Sequence, residues 1–169
     1  YGSAGNGLPS HLSFALLQSV TGLVANHIPY KGNPPVIVAL MNGEIDAAMV
    51  ISTSVLQQAR AGKLRMIAYS APQRSVAAPD VPTVSEQGYP GFDATFGYLL
   101  LVPAGTPEAI VRLLHKESVE AVSAPDVRER LKTFDVATAG LATEPTQAWL
   151  RTARKKWETM IRERQLRAE

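Results

Sequence analysis

The chain has 169 residues, 46% of them hydrophobic and 19% charged, so it is long enough for one domain and too apolar for wholesale disorder. Lys and Arg number 17 against 15 Asp and Glu, and this net charge of +2 is too small to indicate a nucleic-acid partner. Cysteine is absent, which excludes disulfides, thiolate metal sites and cysteine nucleophiles.

Targeting and metal-binding patterns are also missing. No apolar run approaches the roughly 18 residues that a membrane-spanning helix needs. The opening residues lack the basic, apolar and small-residue order of a secretory leader, so no signal peptide is expected in this chain. The three histidines, His11, His27 and His115, stand apart, and no pair has the spacing of metal ligands. We therefore expect no metal and no cofactor.

The first two thirds of the chain alternate apolar runs with helical patterns. Helices are predicted over residues 10–21, 36–41 and 52–61, with Gly22 ending the first and Ser52 or Thr53 capping the third. Strands are predicted over residues 23–29, 46–51, 64–69 and 96–102, with a long irregular crossing over 71–94. Alternation of this kind predicts an α/β fold, in which helices cover a parallel sheet.

Helices close the chain. The first is expected to use the Thr106 hydroxyl as a cap, Pro107 as its first residue and Glu108 in its first turn. A short helix is predicted over residues 126–134 and a longer one from about Thr143. The last helix carries a single apolar stripe, in which residues lie four apart with Met160 beside them: Trp149, Ala153, Trp157 and Ile161.

The glycine-rich opening, Gly2-Ser3-Ala4-Gly5-Asn6-Gly7, leads directly into the first helix. Glycines allow a sharp turn that exposes successive N–H groups, and the following helix directs its positive dipole end at the same place. Together they predict a cradle for a carboxylate or phosphate, to which the Ser3 hydroxyl adds a donor. A tight turn without a ligand remains the alternative interpretation.

Two enzyme-like patterns are weak. The phosphate-binding pattern Gly-x-x-x-x-Gly-Lys-Ser/Thr and the dinucleotide pattern Gly-x-Gly-x-x-Gly are both absent. Ser3, His11 and Asp46 supply the residue types of a hydrolase triad, but Gly-x-Ser-x-Gly is absent. We expect no catalytic residues and keep a serine hydrolase as the less favoured alternative.

Six short motifs together carry a family resemblance. The opening residues 2–12 resemble the Gly-Ser-x-Gly-x-Gly-Ser-x-x-His-Leu loop of the tripartite tricarboxylate transporter solute receptors, the Bug-type periplasmic binding proteins. The other five motifs follow in the same order as in that family: His27-Ile28-Pro29-Tyr30-Lys31-Gly32, Gly43-Glu44-Ile45-Asp46, Gly62-Lys63-Leu64-Arg65, residues 79–88 and Pro103-Ala104-Gly105-Thr106-Pro107.

The resemblance implies a type II periplasmic binding protein-like fold, of which this chain is only the C-terminal part. Residues 1–97 would form the second ligand-binding lobe, and residues 98–169 the return strand and C-terminal helices toward a missing first lobe. The implied activity is that of an extracytoplasmic, periplasmic receptor without enzymatic activity. It would capture a small organic carboxylate and present it to the membrane subunits of the transporter. Ligand sensing or partner binding without transport remains the alternative.

The resemblance also assigns ligand-binding residues. The loop from Ser3 through Ser10 would grip a carboxylate, with roles for Ser3, Ala4, Gly5, Gly7, Leu8 and Ser10. Leu8 replaces the serine of the family pattern, so one hydroxyl donor is lost.

Tyr30, Val50 and Phe96 are expected to line the wall of the ligand pocket. Met49-Val50-Ile51 stands where the family often has Phe-Asp-Asn, which predicts a less polar wall and a less polar ligand. With the first lobe missing, uncovered apolar faces would favour a homo-oligomer or an exchanged dimer.

Overall fold

The computed structural model describes residues 1–166, so residues 167–169 of the predicted C-terminal region lie outside the described residues. Two strands, β1 (Gly2–Ser3) and β2 (Ile28–Pro29), and a 3-10 turn (Ser52–Ser54) accompany the helices. The helices of the described chain are α1 (Pro9–Thr21), α2 (Asn33–Asn42), α3 (Leu56–Arg60), α4 (Glu108–Ser123), α5 (Pro125–Thr133) and α6 (Thr143–Glu163). The chain forms two compact units, one of Tyr1–Phe96 with the residues from Trp157 onward, the other of Gly97–Lys156.

Parallel pairing organises the first unit. Gly2 lies opposite Ile28 and Ser3 opposite Pro29, so β1 and β2 are parallel. Two isolated parallel bridges join Gly2 to Ala48 and Tyr69 to Thr83. The predicted α/β class with a parallel sheet is confirmed.

The predicted strand lengths are wrong. In the described chain, residues 23–29 contribute only Ile28 and Pro29 to a strand, 46–51 and 64–69 contribute one bridge residue each, and 96–102 contribute none. A strand is defined by hydrogen bonds to a neighbour, and an apolar run predicts burial without specifying that neighbour.

A small core surrounds β1. Val36, Ala39 and Ile45 form a buried cluster, against which Tyr30, Leu40, Ala48 and Val50 pack. Gly2 is buried beside it, and a Cβ at this position would collide with Ile45 and press on Tyr30 and Val36. Glycine is therefore needed at this position because the side chains of α2 and its neighbours approach the β1 backbone closely.

The end of α6 packs on α1. Leu12, Ala15 and Met160 form a buried cluster that Trp157, Ile161, Leu16 and Leu166 extend. The C-terminal part of the predicted stripe is thus confirmed as a core face. Phe96 stacks on Trp157 with ring centroids 5.0 Å apart. In the second unit, the Trp149 ring lies against Gly97, where a Cβ would come within 2.8 Å of the indole.

Local signals explain where the helices begin and end. Gly22 and Gly43 follow α1 and α2 in the left-handed conformation, with φ of 72° and 73°, as expected of glycine after a helix. α2 begins at Asn33, before the predicted Val36, because prolines are tolerated in a first turn whose N–H groups have no partner. The prediction that Thr106 caps α4 is wrong: its hydroxyl donates to the Pro103 carbonyl at 2.8 Å, and Pro107 occupies the cap position.

Side chains clamp the irregular crossing predicted over residues 71–94. Glu86 accepts hydrogen bonds from the Thr83 amide at 2.7 Å and from Arg74 Nε at 2.9 Å. The Glu86 amide donates to Thr83 Oγ1 at 3.1 Å, so the two residues satisfy each other reciprocally. The hydrogen bonds from Arg74 and Thr83 lower the pKa of Glu86, and those with Glu86 raise the pKa of Arg74.

We predict that Val36→Ala lowers the free energy of unfolding by about 2 kcal/mol, because Val36 is completely buried and its methyl groups would leave a cavity. Val38, on the exposed side of the same helix and 49% exposed, supplies the matched control. Val38→Ala should change stability by less than about 0.5 kcal/mol. Urea unfolding of both variants checks this, and equal losses would contradict the assignment of the core face.

We predict that the Glu86 carboxylate makes stability depend on acidity. Its pKa is lower in the folded chain than in the unfolded one, so its contribution is present above the unfolded pKa and is lost as pH falls through the folded pKa. Glu86→Gln should be less stable at neutral pH and should lose less stability on acidification than the wild type. Thermal unfolding from pH 7 to pH 3 measures this, with the exposed Glu44→Gln as control; parallel wild-type and Glu86→Gln curves would refute it.

Candidate functional site

The glycine-rich segment from Ser3 to Leu8, called the glycine loop below, connects β1 to α1. Gly5 and Gly7 have φ of 148° and 70°, values that few other residues adopt. α1 begins at Pro9, and its cap residue Leu8 offers no side-chain hydrogen bond. The loop therefore ends directly at the N-terminus of a 13-residue helix.

The N–H groups of this loop are largely occupied. The Ala4 amide donates to Ser10 Oγ at 2.9 Å, and the Gly5 amide donates to Ser3 Oγ at 3.2 Å. The Gly7 amide donates to His11 Nδ1 at 3.0 Å, and the Leu8 amide to the Gly5 carbonyl at 3.3 Å. The expectation that Gly5, Gly7 and Leu8 present free amides is wrong in this conformation. The glycine spacing predicts a loop that can expose N–H groups, but not that neighbouring side chains accept from them.

Some donors near the loop remain. No acceptor is found in the described chain for the backbone N–H groups of Asn6, Ser10 and His11. Ser10 and His11 belong to the first turn of α1, where N–H groups have no carbonyl partner within the helix. Ser10 Oγ accepts from Ala4, and no acceptor is found within residues 1–166 for its hydroxyl proton. These groups lie at the positive end of the α1 dipole.

Ser3 is the last residue of β1 and the first of the glycine loop. Its side chain is fully buried, with Oγ 3.1 Å from the Gly5 carbonyl and 2.6 Å from His27 Nε2. The sequence pattern groups Ser3 with His11 and predicts no partner for His27. The parallel register of β1 and β2 brings His27 to Ser3 across 24 residues, and only knowledge of that register could have revealed the contact.

Four aromatic rings form a stack, and two of them, His27 and His11, contact the loop residues Ser3 and Gly7. Phe14 and Tyr1 have ring centroids 3.7 Å apart, Tyr1 and His27 5.0 Å, and His27 and His11 3.9 Å with planes 6° apart. Burial lowers the pKa of His11. Burial, the charge of His11 and the Tyr1 ammonium group together lower the pKa of His27 to about 4. Both rings are therefore neutral at pH 7.

The predicted wall residues occupy two different settings. Tyr30 and Val50 are half-buried and pack against the cluster of Val36, Ala39 and Ile45, so both carry structural contacts. Phe96 stacks on Trp157. The structure therefore joins Tyr30 and Val50 through one apolar cluster beside β1.

The features of a hydrolase are not assembled around Ser3. Its hydroxyl is 0% exposed, whereas a nucleophile must reach its substrate. Neither His11 nor His27 has a carboxylate partner in the described part of the chain. Residues 1–166 also contain no group of three or more His, Asp or Glu side chains placed to hold a metal ion. None of the helices in that range combines the length and apolarity needed to cross a membrane.

Comparison with known proteins decides the family. The family model for the tripartite tricarboxylate transporter family receptor, TctC, matches residues 1–166. The chain belongs to this receptor family. The predicted resemblance is thereby confirmed over essentially the whole chain.

Two curated relatives show how much of a related protein this TctC chain covers. The UPF0065 protein in the tcbD-tcbE intergenic region of Pseudomonas sp. (strain P51) is 34% identical over 169 residues, which are 99% of this chain and 50% of that protein. Protein BugT of Bordetella pertussis is 35% identical over 157 residues, which are 93% of this chain and 48% of BugT. The chain thus spans about half the length of the curated relatives it matches.

Solved structures agree with the fold. The periplasmic binding protein BugD aligns with a TM-score of 0.77 at 26% identity, covering 99% of this chain and 57% of BugD. MatC from Rhodopseudomonas palustris, with bound malate, aligns with a TM-score of 0.72 at 28% identity, covering 95% of this chain and 55% of MatC. Both alignments cover nearly all of this TctC chain and little more than half of each neighbour.

We predict that Ser3→Ala lowers the free energy of unfolding by about 1–2 kcal/mol, because it removes the hydroxyl that bonds to the Gly5 amide and to His27 in a buried position. Ser19, which is exposed on α1 and whose hydroxyl donates to the Leu16 carbonyl, provides the control. Ser19→Ala should be nearly neutral. Denaturant unfolding compares the two, and equal stability of Ser3→Ala and wild type would show that the buried hydroxyl contributes nothing.

Proposed function

We propose that this chain is part of an extracytoplasmic, periplasmic receptor that captures a small organic carboxylate for a tripartite tricarboxylate-type transporter. The match of the TctC receptor model to residues 1–166 carries this proposal. The malate bound to MatC supports the class of ligand. In this proposal the chain is not an enzyme, and the membrane subunits of the transporter are its partners.

The glycine loop and the start of α1 are the proposed carboxylate site. Ser3, Ala4, Gly5, Gly7, Leu8 and Ser10 are its residues, but their roles differ from a simple row of free amides. The Asn6 and Ser10 amides and the Ser10 hydroxyl would donate to the carboxylate. Ser3 would fix the shape of the loop through its contacts with the Gly5 amide and with His27.

The α1 dipole supports the same placement. The positive end of a helix stabilises an anion within its first turn, typically by about 0.3–1 kcal/mol. α1 has no acidic residue in its first turn to compete for that position. A carboxylate at the helix start would therefore meet hydrogen-bond donors and a favourable dipole together.

Tyr30 and Val50 are proposed to form the apolar wall beside this site. Their packing against Val36 and Ile45 would hold them rigidly, which suits the recognition of a carbon chain. We therefore propose a ligand whose non-carboxylate part is less polar than a short amino-dicarboxylate.

The lobe organisation stays part of the proposal. Residues 1–97 are proposed to contribute one ligand-binding lobe and residues 98–169 the return strand and C-terminal helices. An opposite lobe would supply much of the affinity, since the chain spans about half of its relatives. With its apolar faces uncovered, the chain by itself would form a homo-oligomer or an exchanged dimer.

We predict weak, localised binding of malate by this chain. Amide chemical shifts should change at residues 5–11 during a malate titration followed by NMR. Ser10→Ala should weaken this binding roughly tenfold, because a charge-assisted hydrogen bond is lost. Ser19→Ala should bind as the wild type does, because Ser19 lies away from the loop on the same helix.

Two results would count against the proposal. Shifts spread over α4 and α5, with none at residues 5–11, would exclude the glycine loop as the carboxylate site. Micromolar affinity would contradict the expectation that this chain alone supplies only part of the binding energy.

A further inference from the structure

The contact between Gly7 and His11 is one in which the direction of the hydrogen bond is fixed. A backbone N–H can only donate, so the His11 Nδ1 that lies 3.0 Å away must carry a lone pair. The proton of the neutral His11 ring therefore resides on Nε2. A second proton would have to enter at Nδ1, where it would point at the Gly7 N–H.

The surroundings of His11 oppose that second proton. The ring is buried, at 6% exposed, and lies parallel to His27 at 3.9 Å. The titratable and charged groups facing this pair are the two imidazoles themselves and the Tyr1 ammonium and phenol groups. Neither ring has a carboxylate partner within residues 1–166 that would stabilise its cation.

We propose that His11 is a positioning residue that holds the glycine loop closed only while its ring is neutral, so that acidification frees the Gly7 amide. This inference rests on the function proposed above, because it gives the carboxylate site a proton-dependent state. In the closed state the Gly7 N–H is bound to His11. In the open state the same N–H and an adjacent imidazolium can both face an anion.

The charge interaction between His11 and His27 sets the order in which the two rings take up protons. Burial lowers the pKa of His11, and the charge that His11 acquires helps to lower that of His27 to about 4. His11 is therefore expected to take up its proton before His27, whose pKa is lowered to about 4. The loop should open with the first of these two steps.

The test measures the Gly7–His11 hydrogen bond directly in the 169-residue chain without ligand. In 15N-labelled wild-type protein we expect a scalar coupling between the Gly7 and His11 Nδ1 nitrogens at pH 7. That coupling should disappear as the His11 ring titrates, and the protection of the Gly7 amide from exchange should fall about tenfold. If His11 titrates while the coupling and the protection persist, the proposal is wrong.

Two variants separate the acceptor from the ring. His11→Asn places an oxygen near the position of Nδ1 and does not titrate, so Gly7 should stay protected from pH 7 to pH 4. His11→Phe keeps the ring stack without an acceptor, so Gly7 should be unprotected throughout. His115→Asn, at a histidine in the second unit, should behave as the wild type does. A pH-dependent Gly7 amide in His11→Asn equal to that of the wild type would overturn the role of His11.

A malate titration of the same samples distinguishes this inference from the proposed function. Wild-type protein should bind malate more tightly at the pH at which the NMR titration shows His11 protonated than at pH 7, and His11→Asn should lose that difference. If the Gly7 coupling is lost on acidification but malate does not bind, the role of His11 is supported and the proposed function is contradicted. If malate binds at the loop but the Gly7 coupling persists on acidification, the proposed function is supported and the role of His11 is contradicted.

Discussion

Gly2 is the point at which three segments of the chain meet. Its amide donates to the Ala47 carbonyl at 2.9 Å, it lies opposite Ile28 in the parallel ladder, and the side chains of Ile45, Tyr30 and Val36 close over its Cα. A Cβ at this position would collide with the Ile45 Cδ1 methyl and lie 3.3 Å from Tyr30 and Val36, so these side chains would have to shift. The parallel register of β1 against β2 places Ser3 beside His27, at the start of the glycine loop.

Side chains within and directly after the glycine loop hold it in its conformation. Ser3, Ser10 and His11 each accept a hydrogen bond from one of its amides, so the loop has a defined shape before any ligand arrives. Such preorganisation lowers the entropy lost on binding. It also means that three side chains, rather than the glycines alone, decide which donors face outward.

Sequence patterns predicted the helices better than the strands for a physical reason. Helix ends are set locally, by Gly22 and Gly43 in the left-handed conformation, and α1, α5 and α6 begin within about two residues of their predicted starts. A strand needs a partner that is remote in the sequence, and the run over residues 96–102 has none in the described chain. The glycine pattern predicts the position of the loop, but it does not predict the contacts that occupy the amides of the loop. These contacts depend on rotamers and on the pairing of β1 with β2.

The amides of the loop already donate to Ser3, Ser10 and His11, and this limits the binding free energy that a carboxylate could obtain at the proposed site. A ligand that displaces His11 from Gly7 exchanges one hydrogen bond for another, so the net gain is the difference between a charged and a neutral acceptor. Only the donors without an internal acceptor add binding energy without such an exchange. Discrimination between carboxylates must then come mainly from the groups around the rest of the ligand. In the proposed site, the apolar cluster on which Tyr30 and Val50 pack would take that role.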